Sequence, residues 1–288
     1  MPARSSAPGS AFLVGEHAVV YDEPALLLAV DRRATVAVED ADEDDLPDSA
    51  YVREAVERTR LYADETTPVR VEVSSDIPVG AGLGSSAAVS VATLHAVSRQ
   101  FGAPMEPQEV ADEAYAVERA VQGKASPADT YTSATGGYVV VDGDERRTVD
   151  APDARFVVGY DGGSAPTGEM VDGVARLVDR NPVASDIVSA VGDLSHDAVE
   201  SLESGDLEVV AALMDMNQGL LDALGVSSSS LSRMVWSARD AGASAKLTGA
   251  GGAGCVLAYP ATDEAQEAVA ETAKEAFVVS PAEGVRSE

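Results

Sequence analysis

Lysine is scarce in this chain. Only Lys124, Lys246 and Lys274 occur among its 20 basic residues, and these 20 face 49 acidic ones for a formal net charge of −29. The sequence holds no basic cluster. Nucleic acid and anionic membrane surfaces are therefore excluded as partners, since both are held through clustered Lys and Arg. Cysteine occurs once, at Cys255. No internal disulfide is possible, which fits a reducing intracellular compartment. Coming straight after a glycine run, Cys255 reads as a small buried residue rather than a nucleophile. The N-terminus lacks an apolar segment of signal-peptide length, and no stretch approaches the ~20 apolar residues of a membrane span. The expectation is a soluble, cytoplasmic protein.

What is present is enough for a folded enzyme. A hydrophobic fraction of 45% over 288 residues supports real cores, in one large domain or in two compact lobes. The acid excess is spread along the chain, with a dense cluster at residues 39–48. Spread carboxylate with little lysine suits a cytosol of multimolar salt, where screening shortens to about 3 Å and self-repulsion collapses. The composition thus reads as halophilic.

The most informative segment is Pro78-Val79-Gly80-Ala81-Gly82-Leu83-Gly84-Ser85-Ser86-Ala87-Ala88. Three glycines in five residues let the backbone turn tightly and approach a ligand. Two serines follow at a helix N-cap position, and good helix formers run from Ala87 to Arg99. A glycine loop feeding a helix N-terminus favours phosphate, because free amides and the helix dipole both attract an anion. The bland alternative is a tight turn with a serine cap. The length of the motif and the strand-like residues 69–73 before it favour the phosphate cradle. Its spacing matches neither the GxxxxGK[ST] P-loop nor the GxGxxG fingerprint.

Three further segments carry polar chemistry. Gly15-Glu16-His17 forms a glycine-flanked turn able to hydrogen-bond a polar substrate. Glu118 lies late in a helix predicted over residues 107–122, and Asp129 lies in the turn after it. Two carboxylates there could share one cleft, one holding Mg²⁺ and the other accepting a hydroxyl proton. Thr248-Gly249-Ala250-Gly251-Gly252-Ala253-Gly254 is a second glycine loop that permits close approach to a second face of a ligand. Strands and helices without strict βαβ alternation indicate an α+β fold, and the polar stretch 142–153 suggests a boundary near residue 150, dividing the chain into 1–150 and 151–288. The last helix is predicted over residues 263–276.

In this order, residues 7–21, 78–88 and 246–254 resemble the three motifs of the GHMP kinase family. Within it, the Gly15-Glu16-His17-Ala18-Val19-Val20-Tyr21 string, Ala125-Ser126-Pro127-Ala128-Asp129-Thr130, and Met216-Asn217-Gln218-Gly219-Leu220-Leu221-Asp222-Ala223-Leu224-Gly225-Val226 resemble the archaeal mevalonate-kinase branch. The resemblance implies a two-lobed α+β fold, with a ribosomal-S5-like N-terminal lobe and a ferredoxin-like C-terminal lobe. It also implies ATP, Mg²⁺ and mevalonate as ligands, and a homodimer. By motif position, Pro78, Gly80, Ala81, Gly82, Leu83, Gly84, Ser85, Ser86 and Ala87 would wrap the phosphates. Ser86 and Glu118 would ligate Mg²⁺, Asp129 would be the base, and Glu16, His17 and Thr167 would face the acid substrate. The family motif reads Ala-Pro-Gly-Lys where this chain has Ser10, so a cation expected beside the base is replaced by a hydroxyl. Lys124 is a candidate substitute for that charge. Two rival functions remain compatible with the motifs. One is another small-molecule kinase of the family, acting on homoserine or a sugar. The other is a weakly active nucleotide- or metabolite-binding homologue.

Overall fold

The computed structural model describes residues 2–123 and 125–288. The first strands are longer than their apolar cores suggest: β1 is Ala3–Val14 and β2 is Ala25–Asp40, two antiparallel ribbons paired nearly end to end. Leu26, Leu28 and Val30 of β2 enter one core while Ala25 and Leu27 enter another. Both faces of the sheet are therefore covered, and the strand reads as a continuous apolar run. Strands β3 (Val69–Ser75), β4 (Tyr138–Asp142) and β5 (Glu145–Val149) complete this sheet together with β10 (Arg286–Ser287). Helices α1 (Ala50–Ala63), α2 (Ser85–Gln100), α3 (Pro107–Gln122) and α4 (Ala128–Thr135) pack over it.

The second sheet has the order β7-β8-β6-β9, formed by β6 (Phe156–Tyr160), β7 (Ser244–Leu247), β8 (Cys255–Tyr259) and β9 (Glu275–Val279). Around it run α5 (Thr167–Val178), α6 (Pro182–Glu203), α7 (Leu207–Ala223), α8 (Ser229–Asp240) and α9 (Asp263–Thr272). One apolar core joins the two sheets, combining Leu13 and Leu28 with Phe156, Val158, Leu257 and Phe277. Cys255 is fully buried in that core, and burial pushes its thiol pKa up, so it is an inert packing residue.

Several expectations are corrected. The helix predicted to residue 276 stops at Thr272, and residues 275–279 form β9. The polar stretch after residue 142 holds the hairpin strand β5. The last residues do not stay with the second sheet: Arg286 and Ser287 pair with β1, and Arg33 donates to the carbonyls of Glu283 and Gly284. Among the described residues, no helix is long and apolar enough to cross a membrane.

Candidate active site

Helix α3 places the first carboxylate. Pro107 opens it, Glu106 and Glu109 form a reciprocal capping box, and Gly123 ends it at φ 80°. Val110, Ala114 and Val117 bury one face, which turns Glu118 toward a cavity of about 1220 Å³ between the lobes. Asp129 was expected in a turn. It stands instead in the first turn of α4, where the free amides of a helix N-terminus favour a negative charge.

The glycine loop delivers α2 to the same cavity. Its N-cap is Gly84 in the left-handed conformation at φ 62°, not a serine. Ser85 and Ser86 therefore sit in the first helical turn with side chains free of capping duty. Ser86 Oγ donates to Glu118 Oε1 at 2.6 Å. Val79, Gly80, Ala81, Gly82, Gly84, Ser85 and Ser86 line the cavity. Pro78, Leu83 and Ala87, expected with them, do not: Leu83 and Ala87 are fully buried, and the Leu83 carbonyl accepts from Ser10 N–H at 3.1 Å.

The second glycine loop also makes a backbone contact that its sequence did not reveal. A Cβ on Gly82 would lie 2.3 Å from the Thr248 carbonyl oxygen, and one on Gly249 would lie 2.6 Å from Gly82 Cα. Gly249 and Gly254 let the two backbones meet, at Gly82 and Ala81, while Gly251 and Gly252 face Val226 and Ala165. Only Gly249 and Ala250 of that run line the cavity.

The electrostatics centre on two acids. Burial, then the neighbouring charge of Asp129, raises Glu118 from its usual 4.5 to about 7, and the Ser86 hydroxyl opposes the shift. Asp129 is likewise raised by burial, and the Ser10 hydroxyl pulls it back. Ser10 Oγ donates to Asp129 Oδ1 at 2.5 Å. Ser10 is fully buried and is not among the residues lining the cavity. Expected as a catalytic group, it sits behind Asp129 and meets the cavity only through that hydrogen bond. Lys124 lies outside the described residues.

Glu16, His17 and Thr167 all line the cavity, but they differ in what they offer. Both oxygens of Glu16 are engaged inside the protein, by Lys246 Nζ and by Asn217 Nδ2. Its carboxylate is thus part of the scaffold, contrary to its expected role facing substrate. His17 sits at φ 63°, donates Nε2–H to the Ala250 carbonyl at 2.9 Å, and leaves Nδ1 without a protein partner. Burial lowers its pKa, so the ring is neutral and Nδ1 is an acceptor, suited to a substrate hydroxyl. Thr167 opens α5 at the rim, exposed. Sequence reasoning missed Tyr51, which lines the cavity beside Glu118, Gln122 and Ser86. It also missed the Lys246–Glu16 pair, although a lysine in an apolar strand was an available signal.

Comparison with known proteins agrees with this geometry. The family model for the GHMP kinase N-terminal domain matches residues 50–137, and the one for the GHMP kinase C-terminal region matches residues 198–279. The mevalonate kinase of Methanothermobacter thermautotrophicus is 40% identical, over 90% of this chain and 90% of that protein. The chain belongs to the GHMP kinase family. Another relative, the mevalonate kinase of Thermococcus sibiricus, is 39% identical over 92% of this chain and 91% of its own. The solved structure of Methanococcus jannaschii mevalonate kinase superposes with a TM-score of 0.84 at 27% identity, covering 98% of this chain and 99% of that one. Membership accounts for the two-lobed α+β architecture and makes the chain a kinase that uses ATP on a small molecule.

Proposed function

We propose that the chain transfers the γ-phosphoryl group of ATP to the 5-hydroxyl of mevalonate. One observation carries the reading: Glu118, Asp129 and the N-terminal turn of α2 converge on a single cavity, with Asp129 close enough for its charge to raise the pKa of Glu118. In such transfers the protein mainly positions reactants and neutralises charge. The α2 amides and the glycine loop hold phosphate oxygens, and Asp129 accepts the hydroxyl proton, its raised pKa making it the stronger base. His17 Nδ1 accepts a hydrogen bond from a substrate hydroxyl, and Thr167 closes the rim.

Ser86 and Glu118 fit Mg²⁺. They present hard oxygen donors, and the buried Glu118 carboxylate lies within reach of the charge of a second carboxylate, Asp129. Among the described residues, no group of three or more His, Cys, Asp or Glu side chains is arranged to hold a metal ion by itself. This suits an ion that keeps one or two protein ligands and takes the rest from substrate phosphates and water. When bound, Mg²⁺ neutralises charge developing on the phosphoryl oxygens.

The same reading includes a cytoplasmic, salt-adapted homodimer, with the lobe boundary between Val149 and Phe156. A coupled ADP-release assay in high KCl tests it. Mevalonate should drive turnover well above background, with homoserine and galactose near zero. Faster turnover of homoserine or galactose would refute the assignment.

A further inference from the structure

The Met216-Asn217-Gln218-Gly219 string is not used by the phosphoryl-transfer chemistry, yet α7 turns its polar side chains onto β7 and onto Glu16 at the edge of the site. Asp215 Oδ1 accepts from Ala245 N–H at 2.9 Å, and Gln218 Oε1 accepts from Leu247 N–H at 2.7 Å. These alternate amides belong to the outer side of β7, the edge strand of its sheet. Helix α7 thereby satisfies donors that an open edge would leave unpaired. Asn217, fully buried between them in sequence, reaches further and donates Nδ2–H to Glu16 Oε2 at 2.8 Å.

The other Glu16 oxygen takes Lys246 Nζ, which also donates to the Leu247 carbonyl at 2.5 Å. Glu16, Lys246 and Asn217 expose 2%, 0% and 0% of their surface, so this contact is shielded from water. A buried carboxylate needs every oxygen satisfied. The neutral amide of Asn217 supplies the second bond without upsetting the one-to-one charge balance with Lys246. The contact also crosses the molecule: Glu16 follows β1 of the first sheet, whereas Asn217 and Lys246 lie 201 and 230 residues further on.

His17 is the next residue, and its left-handed backbone survives only where neighbours over-determine it. The turn is held by Ala18 N–H donating to the Glu16 carbonyl at 2.8 Å and by the His17 ring on Ala250. We propose that Asn217 is a positioning residue which, with the buried Lys246, fixes Glu16 and thereby aims His17 at the substrate end of the cavity. The inference rests on the reading of that cavity as a mevalonate site.

The test is a double-mutant cycle between Asn217→Ala and His17→Ala, reading KM for mevalonate and for ATP separately. Asn217→Ala should raise KM for mevalonate about tenfold, the scale of one lost hydrogen bond to a charged group, and leave KM for ATP within about twofold. In the His17→Ala background the same change should add almost nothing, because residues acting through one another are non-additive. Independent, multiplicative effects would overturn the proposal, as would equal rises in both KM values. If His17→Ala raises KM for mevalonate while Asn217→Ala does not, the proposal fails and the site reading stands. If neither variant affects mevalonate, both fail. Asn217→Ser, which keeps a polar group in the same space, replaces the alanine variant should that one not fold.

Discussion

Replacing Glu118 by glutamine should change how stability depends on pH, and the direction follows from the structure. The carboxyl titrates near 4.5 in an unfolded chain and at about 7 when folded, first through burial and then through Asp129. Between those values the unfolded chain has lost the proton that the folded chain still holds. Stability therefore falls as pH rises through this window and levels off above about 7. At about 1.4 kcal/mol per pH unit, the loss by pH 8 comes to about 3 kcal/mol. A glutamine side chain there would keep an oxygen for the Ser86 hydroxyl but has no proton to release. Urea unfolding of both proteins at fixed high KCl, in steps from pH 5 to pH 8, isolates the effect. Repulsion among the remaining acids is common to both chains, so the wild type should lose about 2.5 kcal/mol more than Glu118→Gln across the range, which starts half a unit above the unfolded pKa. Mg²⁺ with nucleotide should narrow the gap, because ligands that bind the ionised folded form stabilise it by mass action. Parallel curves would refute the placement of Glu118 as a buried, destabilised acid.

Asp129→Asn should abolish phosphoryl transfer while leaving ATP binding measured by calorimetry nearly intact, since the amide keeps the shape but accepts no proton. Full activity in that variant would remove Asp129 as the base. Gly84→Ala would set a Cβ 2.0 Å from Ser10 Oγ at a residue with φ 62°. It should cost about 1–2 kcal/mol in backbone strain and lower kcat by displacing Ser10 from Asp129; an unchanged kcat would contradict the link between Ser10 and the base. Dilution below about 0.5 M KCl should lower the melting temperature and inactivate the protein, because the 49 acids then repel one another unscreened. An identical melting curve in low salt would rule out the halophilic reading.

The parts of the site legible in the sequence were those carried by local spacing. Gly80, Gly82 and Gly84 ahead of Ser85 announced a tight loop entering a helix, and Val110, Ala114 and Val117 announced the face of α3 that leaves Glu118 free. Helix α4 was hidden because Thr130, Thr132 and Thr135 are β-branched and weak helix formers. Its place is secured by packing instead, with Ser133 Oγ donating to the Pro8 carbonyl at 2.7 Å and Gly136 ending it. Strand β5 was masked by Glu145, Arg146 and Arg147, polar residues of a half-exposed edge hairpin. A lysine in an apolar strand hinted that Lys246 needs a buried partner, but only tertiary contact identifies that partner as Glu16, 230 residues away. The second glycine loop was visible, but its partner was not: glycines for a ligand and glycines for another backbone look alike in sequence.

The substitution at position 10 shows how one missing charge redistributes. The Ala-Pro-Gly-Lys pattern of the family would put an ammonium beside the proposed base, whereas among the described residues Asp129 is met by the Ser10 hydroxyl. A hydroxyl stabilises the carboxylate less than a cation does, so burial dominates and the pKa of Asp129 rises. That rise makes Asp129 a better proton acceptor while holding more of it protonated at a given pH. A lost donor to a developing alkoxide costs about 2.7–4 kcal/mol in the transition state. A stronger base offsets part of that, because proton transfer then runs further downhill. Restoring lysine at position 10 is not simply the reverse step. Ser10 is fully buried, and its Oγ occupies the space beside Gly84 into which a longer side chain would have to grow. The glycine and the serine form one packed unit, so the loop entering α2 holds the hydroxyl that partly offsets the burial of Asp129.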